Sequence, residues 1–247
     1  MPRPLLIVGA GGFARETAEA VRACNDASPT WQLLGFLDDN PELLGAVVSG
    51  VPVVGPVDAV HDHPDAAVLV CTGRPDNYVS RPLLVARLDL PDERYATVVH
   101  PTATVSSTSR IGIGSVLLAH VDLTVDVRVG RHVAVMPQCV LTHDVRIDDF
   151  ATLASGVRLG GGTHIAEGAY LGSGVAVREG RTIGIRAMVG MGALVTRDVP
   201  DERLWFGVPA RDAGRAPVPA PAARDRADTP SLVPVTMPSS LQQGEPS

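Results

Sequence analysis

Four histidines, His120, His132, His143 and His164, recur through the middle of this chain, and one of them, His143, is followed by a carboxylate, Asp144. An imidazole whose one nitrogen is held protonated keeps the other free to accept a proton, which is the chemistry of a general base. Spacing alone ranks the four equally. A second group with chemical potential lies near the start. Gly9-Ala10-Gly11-Gly12-Phe13-Ala14 satisfies the dinucleotide fingerprint with alanine in the last place. Such glycines bring backbone N–H groups close to a phosphate at a helix N-terminus. Asp38 ends the second apolar run, where a ribose-binding carboxylate would sit, although Asp38-Asp39-Asn40-Pro41 also reads as a plain turn. Taken alone, this opening suggests NAD. Arg81 either meets a phosphate or caps its own helix. The three cysteines, Cys24, Cys71 and Cys139, follow no metal spacing and read as buried small hydrophobes in a reducing compartment, so no metal site is expected.

These residues need elements to hold them. Leu5-Leu6-Ile7-Val8 is a short apolar run of the kind a buried parallel strand shows. A helix is predicted over Phe13–Cys24, with apolar or small residues at helical spacing. Further strands are predicted at Leu33–Leu37 and Ala67–Cys71, and a further helix over Tyr78–Leu88. Strand, glycine turn, helix, strand is the start of a doubly wound sheet. Fewer than a hundred residues precede the next feature, so residues 1–96 are expected to form a small, Rossmann-like α/β nucleotide-fold domain.

Steps of six from Val99 land on Val105, Ile111, Leu117, Leu123, Val129, Val135, Leu141 and so on to Val195, and each of the seventeen stops is Val, Ile or Leu. Four residues after each stop the side chain is usually small or β-branched, as at Ala103, Ser115, Cys139, Ala151 and Thr163, with Arg181 the clear exception. Six residues fit neither an amphipathic helix nor a simple alternating strand. They fit a solenoid with flat sides of short strands, the aliphatic residue inside and the small one at the corner. His143, third in its hexad, points outward from such a coil, as an ordinary surface histidine also would.

The chain has 247 residues and a net charge of −6, so no nucleic-acid footprint is expected. The N-terminal apolar run is too short for a signal or a span, and the protein is expected to be soluble and cytoplasmic, without a membrane partner. Residues 212–247, unmistakably from Pro217 onward, are rich in Pro, Ala and Ser without a period, and are expected to be a disordered tail.

The repeat resembles the hexapeptide-repeat acyltransferases, down to its closing stretch Phe206-Gly207-Val208-Pro209-Ala210-Arg211. Up to about Arg211 the chain resembles a narrower group, the sialic-acid O-acetyltransferases and nucleotide-diphospho-aminosugar N-acetyltransferases. The matching pieces are Ile7-Val8-Gly9-Ala10-Gly11-Gly12, Gly35-Phe36-Leu37-Asp38-Asp39-Asn40, His100-Pro101-Thr102-Ala103 and Leu141-Thr142-His143-Asp144. The resemblance implies a left-handed parallel β-helix over residues 97–211, with about eighteen residues per coil. It implies a homotrimer with sites between neighbouring coils, and acetyl-CoA as acyl donor. His143 would be the base and Asp144 its orienting carboxylate. Gly161, one coil above His143, would offer a backbone N–H to the thioester oxygen. Gly172, Ser173 and Gly190 would line the pantetheine groove, and Arg197 and Arg211 would meet CoA phosphates. Gly9, Gly11, Gly12, Phe13, Asp38, Asp39, Arg81 and Thr152 would bind the acceptor, most naturally a nucleotide-linked sugar acylated on an amino or hydroxyl group. Thr152 stands where the group often has a second histidine, and Phe13 where it often has another. The rival readings are an acyltransferase for a non-sugar small molecule, a non-catalytic trimeric binding protein, and an NAD enzyme with a β-helix for assembly.

Overall fold

The computed structural model describes residues 1–217. The first unit is a five-stranded sheet built from β1 (Arg3–Val8), β2 (Trp31–Leu37), β3 (Val47–Val48), β4 (Val51–Gly55) and β5 (Ala67–Val70), in the order β3-β4-β2-β1-β5. All neighbours pair in parallel except β3 with β4. Leu5 to Val8 are wholly buried, as a central parallel strand covered on both faces must be. α1 (Gly12–Ala27) buries Ala14, Thr17, Ala18, Ala20 and Val21, small residues that let it lie close to the sheet. α2 (Ser80–Leu88) follows a loop after β5. The β3–β4 hairpin was not foreseen from the sequence. Its turn residues Ser49 and Gly50 both have positive φ, 49° and 74°, as a tight hairpin demands. Pro52 disguises β4, because a proline within an apolar run argues against a strand.

The second unit is a left-handed parallel β-helix. Seventeen two-residue strands run from β6 (Val98–Val99) to β22 (Leu194–Val195), one per hexad. All but the last three pair in parallel with the strand eighteen residues on, as Leu123 with Leu141 and Leu141 with Leu159. Three flat sides result, named here first, second and third from the strands of the first coil. Left-handed backbone at corner residues such as His120, Asp126, His132 and Asp144 turns the chain from one side to the next. The aliphatic stops and the small residues behind them form one continuous core. Interior hydroxyls are satisfied: Ser115 Oγ donates to the Gly130 carbonyl at 2.9 Å and accepts from the Val133 N–H at 2.9 Å.

A hairpin of β23 (Arg203–Gly207) and β24 (Ala210–Arg215) closes the top of the first side. Residues 212–215 therefore belong to this hairpin and not to the expected tail. They carry no apolar period, and they are held by backbone pairing and by the Arg203–Asp212 ion pair at 2.8 Å, neither of which a hydrophobic pattern reveals. The rest of the expected tail, from residue 218, lies outside the described residues.

The α/β unit sits on the first side. Val98, Val116 and Leu118 of the coil share a core with Leu5, Ala14, Ala18 and Val53. The outward residues of that side, such as Ala134, Thr152 and Met188, are buried, whereas outward Arg110, Arg128, Arg146 and Arg158 on the other two sides are exposed.

Candidate active site

His143 follows β13 (Val140–Leu141) at the corner between the second and third sides. Its Nδ1 lies 2.9 Å from Asp144 Oδ2. With that nitrogen paired to a carboxylate, the proton belongs on Nδ1 and Nε2 carries the free lone pair. Asp144 is fixed by its own backbone, whose N–H donates to the Val125 carbonyl one coil below at 3.0 Å. The His143 carbonyl accepts from the Gly162 N–H one coil above at 2.9 Å. The imidazole lies against Gly161, one coil above, in the space a side chain there would take. A Cβ added there would fall 2.2 Å from His143 Cε1 and 2.3 Å from Nε2, so only glycine fits against the ring. Both dyad side chains are exposed at the corner, 66% each, open to an incoming substrate.

Register places Glu179 and Arg197 above Gly161 in the same corner column, and Arg197 is exposed. Gly172, Ser173 and Gly190 occupy a different corner, between the first and second sides. Their backbone is stacked by ladder bonds, Gly172 N–H to the Val189 carbonyl and Gly190 N–H to the Trp205 carbonyl, each 2.8 Å. Within one chain the full width of the second side separates this corner from His143. Arg211 lies exposed on the closing hairpin.

In the α/β unit, Gly9 has φ +99°, and a Cβ on it would meet the Cys71 carbonyl and Thr72 Cγ2, both at 3.0 Å. Gly11 and Gly12 face open space at the start of α1, where no side chain caps the helix. Both Asp38 oxygens accept backbone N–H bonds at 2.9 Å, from Ala10 and from Asn40, so Asp38 ties the glycine loop to the end of β2. Asp39 accepts from the Val57 N–H at 3.0 Å and pairs with Arg87 at 2.5 Å. Phe13 is half-buried against the domain core.

Two sequence expectations need correction, those for Arg81 and Thr152, and two histidines have surroundings that spacing does not show. Arg81 is 1% exposed and makes five hydrogen bonds within the protein, so it neither faces a phosphate nor caps its helix. Burial pushes its guanidinium down to about 10. Thr152 is buried with its hydroxyl 2.7 Å from Arg81 Nη2, which removes it from the acceptor. His132 is 1% exposed, stacked on Phe150 with centroids 5.2 Å apart and edge-on to Tyr95 at 4.6 Å. Neither of its ring nitrogens has a hydrogen-bond partner among the described residues. Burial, with Arg131 and Arg81 adding to it, pushes the imidazole down to about 4. His164 is half-buried and bonds through Nε2 to Asp148 Oδ2 at 2.7 Å. Burial works to raise the Asp148 carboxyl, but the bonds from His164 and Arg146 outweigh it and hold it below its usual range. Their sixteen-residue separation hid this second pair in the sequence.

A model of the PglD N-terminal domain matches residues 4–73. Among solved structures, a variant of perosamine N-acetyltransferase from Caulobacter crescentus in complex with CoA and GDP-perosamine is 30% identical, with a TM-score of 0.75 over 85% of this chain and 97% of that one. The acetyltransferase domain of PglB from Neisseria gonorrhoeae, in complex with acetyl coenzyme A, is 29% identical, with a TM-score of 0.76 over 86% of this chain and 100% of that one. WeeI from Acinetobacter baumannii is 25% identical, with a TM-score of 0.58 over 85% of this chain and 99% of that one. A search of curated protein sequences finds no match. The glycine-looped α/β unit followed by the hexapeptide coil is the architecture of acetyltransferases that bind CoA. The chain belongs to the family of nucleotide-sugar N-acetyltransferases.

Proposed function

We propose that this protein transfers the acetyl group of acetyl-CoA to an amino group of a nucleotide-linked sugar, with His143 as general base. The observation that carries the reading is the placement of His143: Nδ1 held by Asp144, and Nε2 in the space left by the missing Gly161 side chain. In the reaction the acceptor nitrogen bonds to the acyl carbon and its proton passes to His143 Nε2. The Gly161 N–H meets the developing oxyanion. The carbon–sulfur bond then breaks, and the proton on His143 goes to the departing thiolate.

Residues 1–96 hold the acceptor, its phosphates at the open start of α1 beside Gly11 and Gly12. Residues 97–211 carry out the transfer. Acetyl-CoA rises from His143 toward Arg197, which stands in the same column. The working form is a homotrimer, because the His143 corner of one chain and the Gly172–Gly190 corner of another close one groove. No described helix is long and apolar enough to cross a membrane, and the acceptor is a small molecule.

Incubation with acetyl-CoA and a panel of nucleotide-linked amino and hydroxy sugars, read by released thiol and product mass, tests the reading. An N-acetylated nucleotide sugar is expected. Thiol release that no member of the panel raises above the rate without acceptor would overturn it.

A further inference from the structure

Arg81 carries a charge into the buried seam between the two units with no carboxylate partner among the described residues. It is held entirely by neutral acceptors from three separate stretches of chain. Nη1 donates to the Thr72 carbonyl at 2.7 Å, in the loop that leaves the carboxyl end of β5. Nε donates to the His132 carbonyl at 2.8 Å. Nη2 reaches the Phe150 carbonyl at 2.9 Å, the Ala151 carbonyl at 3.1 Å and Thr152 Oγ1 at 2.7 Å, on the next coil. Burying a guanidinium is costly, and a well-packed apolar side chain would serve stability as well or better. What an apolar side chain cannot do is fix the distance between those three stretches, which a rigid planar fork does.

The stretch on the α/β side borders the expected acceptor crevice. Ligands of open α/β sheets bind outside the carboxyl ends of the strands, and the Thr72 loop stands there. Thr72 packs against Gly9 of the glycine loop, within 3.0 Å of where a Cβ on Gly9 would be. Gly73, with φ +129°, lies against the guanidinium, 3.0 Å from its Nη1 by the same measure. A chain of direct contacts thus runs from the glycine loop through Thr72 to Arg81 and on to two successive coils.

We infer that Arg81 is a positioning residue for acyl transfer, one that sets the acceptor crevice at a fixed place on the coil without touching the acceptor. This rests on the proposed acceptor site. Misplacement by about 1 Å of a bound reactant costs on the order of 10²-fold in rate, so a latch of this kind has a kinetic signature.

The test uses full-length protein, with acetyl-CoA and GDP-perosamine as probes. Arg81→Met is expected to lower kcat/KM for the acceptor about 10²-fold while KM for acetyl-CoA stays unchanged. Arg81→Lys should recover part of the loss. Thr152→Val keeps shape and removes one acceptor from the fork, and it covers the case in which Arg81→Met fails to fold. It should act in the same direction by roughly 10-fold. Unchanged acceptor kinetics in both Thr152→Val and Arg81→Lys would overturn the inference, as would a loss shared equally by acceptor and acetyl-CoA. Hydrogen exchange separates this from failure of the proposed function. Even if GDP-perosamine is not acetylated, Thr152→Val should raise deuterium uptake together in residues 72–81 and 149–153. Uptake unchanged in both segments would show that Arg81 latches nothing.

Discussion

His143 is placed by two neighbours of opposite kind, a carboxylate beside it and an absent side chain above it. Gly161→Ala should therefore act through the ring, because its methyl would need the space that Cε1 and Nε2 occupy. The expected result is a fall in kcat of about 10²-fold, the scale for misplacing a general base, with the melting temperature little changed. A variant with full kcat would mean that the ring has another resting place. His132 gives a second residue-scale prediction. Its imidazole stays neutral in the folded protein down to about pH 4, whereas in the unfolded chain it takes up a proton near the ordinary 6.5. Its contribution is thus complete above pH 6.5 and is lost as pH falls toward 4, on the order of 3 kcal/mol over that window. His132→Phe should remove this part of the pH dependence. Urea midpoints of wild type and variant at pH 7 and pH 5 measure it, and identical pH dependence would contradict the account.

At the scale of elements, the hexad is the unit that specifies the coil, and its register is testable. Val177 is an interior stop, 5% exposed. Val177→Asp would bury an unpaired carboxylate, costing about 3 kcal/mol or more. A fall in melting temperature of more than about 5 °C is expected, and an unchanged transition would mean the residue faces out. The hexad was legible because stops meet stops eighteen residues on, so local pattern and long-range pairing coincide. The identity of the covered side was written just before the stops: Val98, Val116, Ala134, Thr152, Tyr170 and Met188 on one side, against Arg110, Arg128 and Arg146 on another. Only a step of eighteen, not six, brings that out. His132 and Arg81 were not legible, since their environment is made by residues far apart in sequence and by contact between the two units. A histidine at a coil corner is exposed unless another unit covers the corner, and Tyr95 and Arg81 do so here. The His143–Asp144 pair was legible from adjacency, and the eighteen-residue coil placed Gly161 above it; that the ring occupies the space of a Gly161 side chain was not, because side-chain packing between coils is not written in the spacing.

The whole molecule is a continuous coil with a docked α/β unit. Its exposed corners on either edge of the second side make the trimer a mechanistic expectation as much as a structural one. Sedimentation at assay concentrations should give a trimer, and a stable monomer with full turnover would remove the shared groove from the account. The central claim, proton removal by His143 during acetyl transfer, is tested most directly by the kinetics of His143→Ala with saturating acetyl-CoA and an acceptor found in the panel. A fall in kcat of about 10²–10⁴-fold with acetyl-CoA affinity nearly unchanged is expected, and a smaller fall for Asp144→Asn. Full turnover by His143→Ala would contradict it.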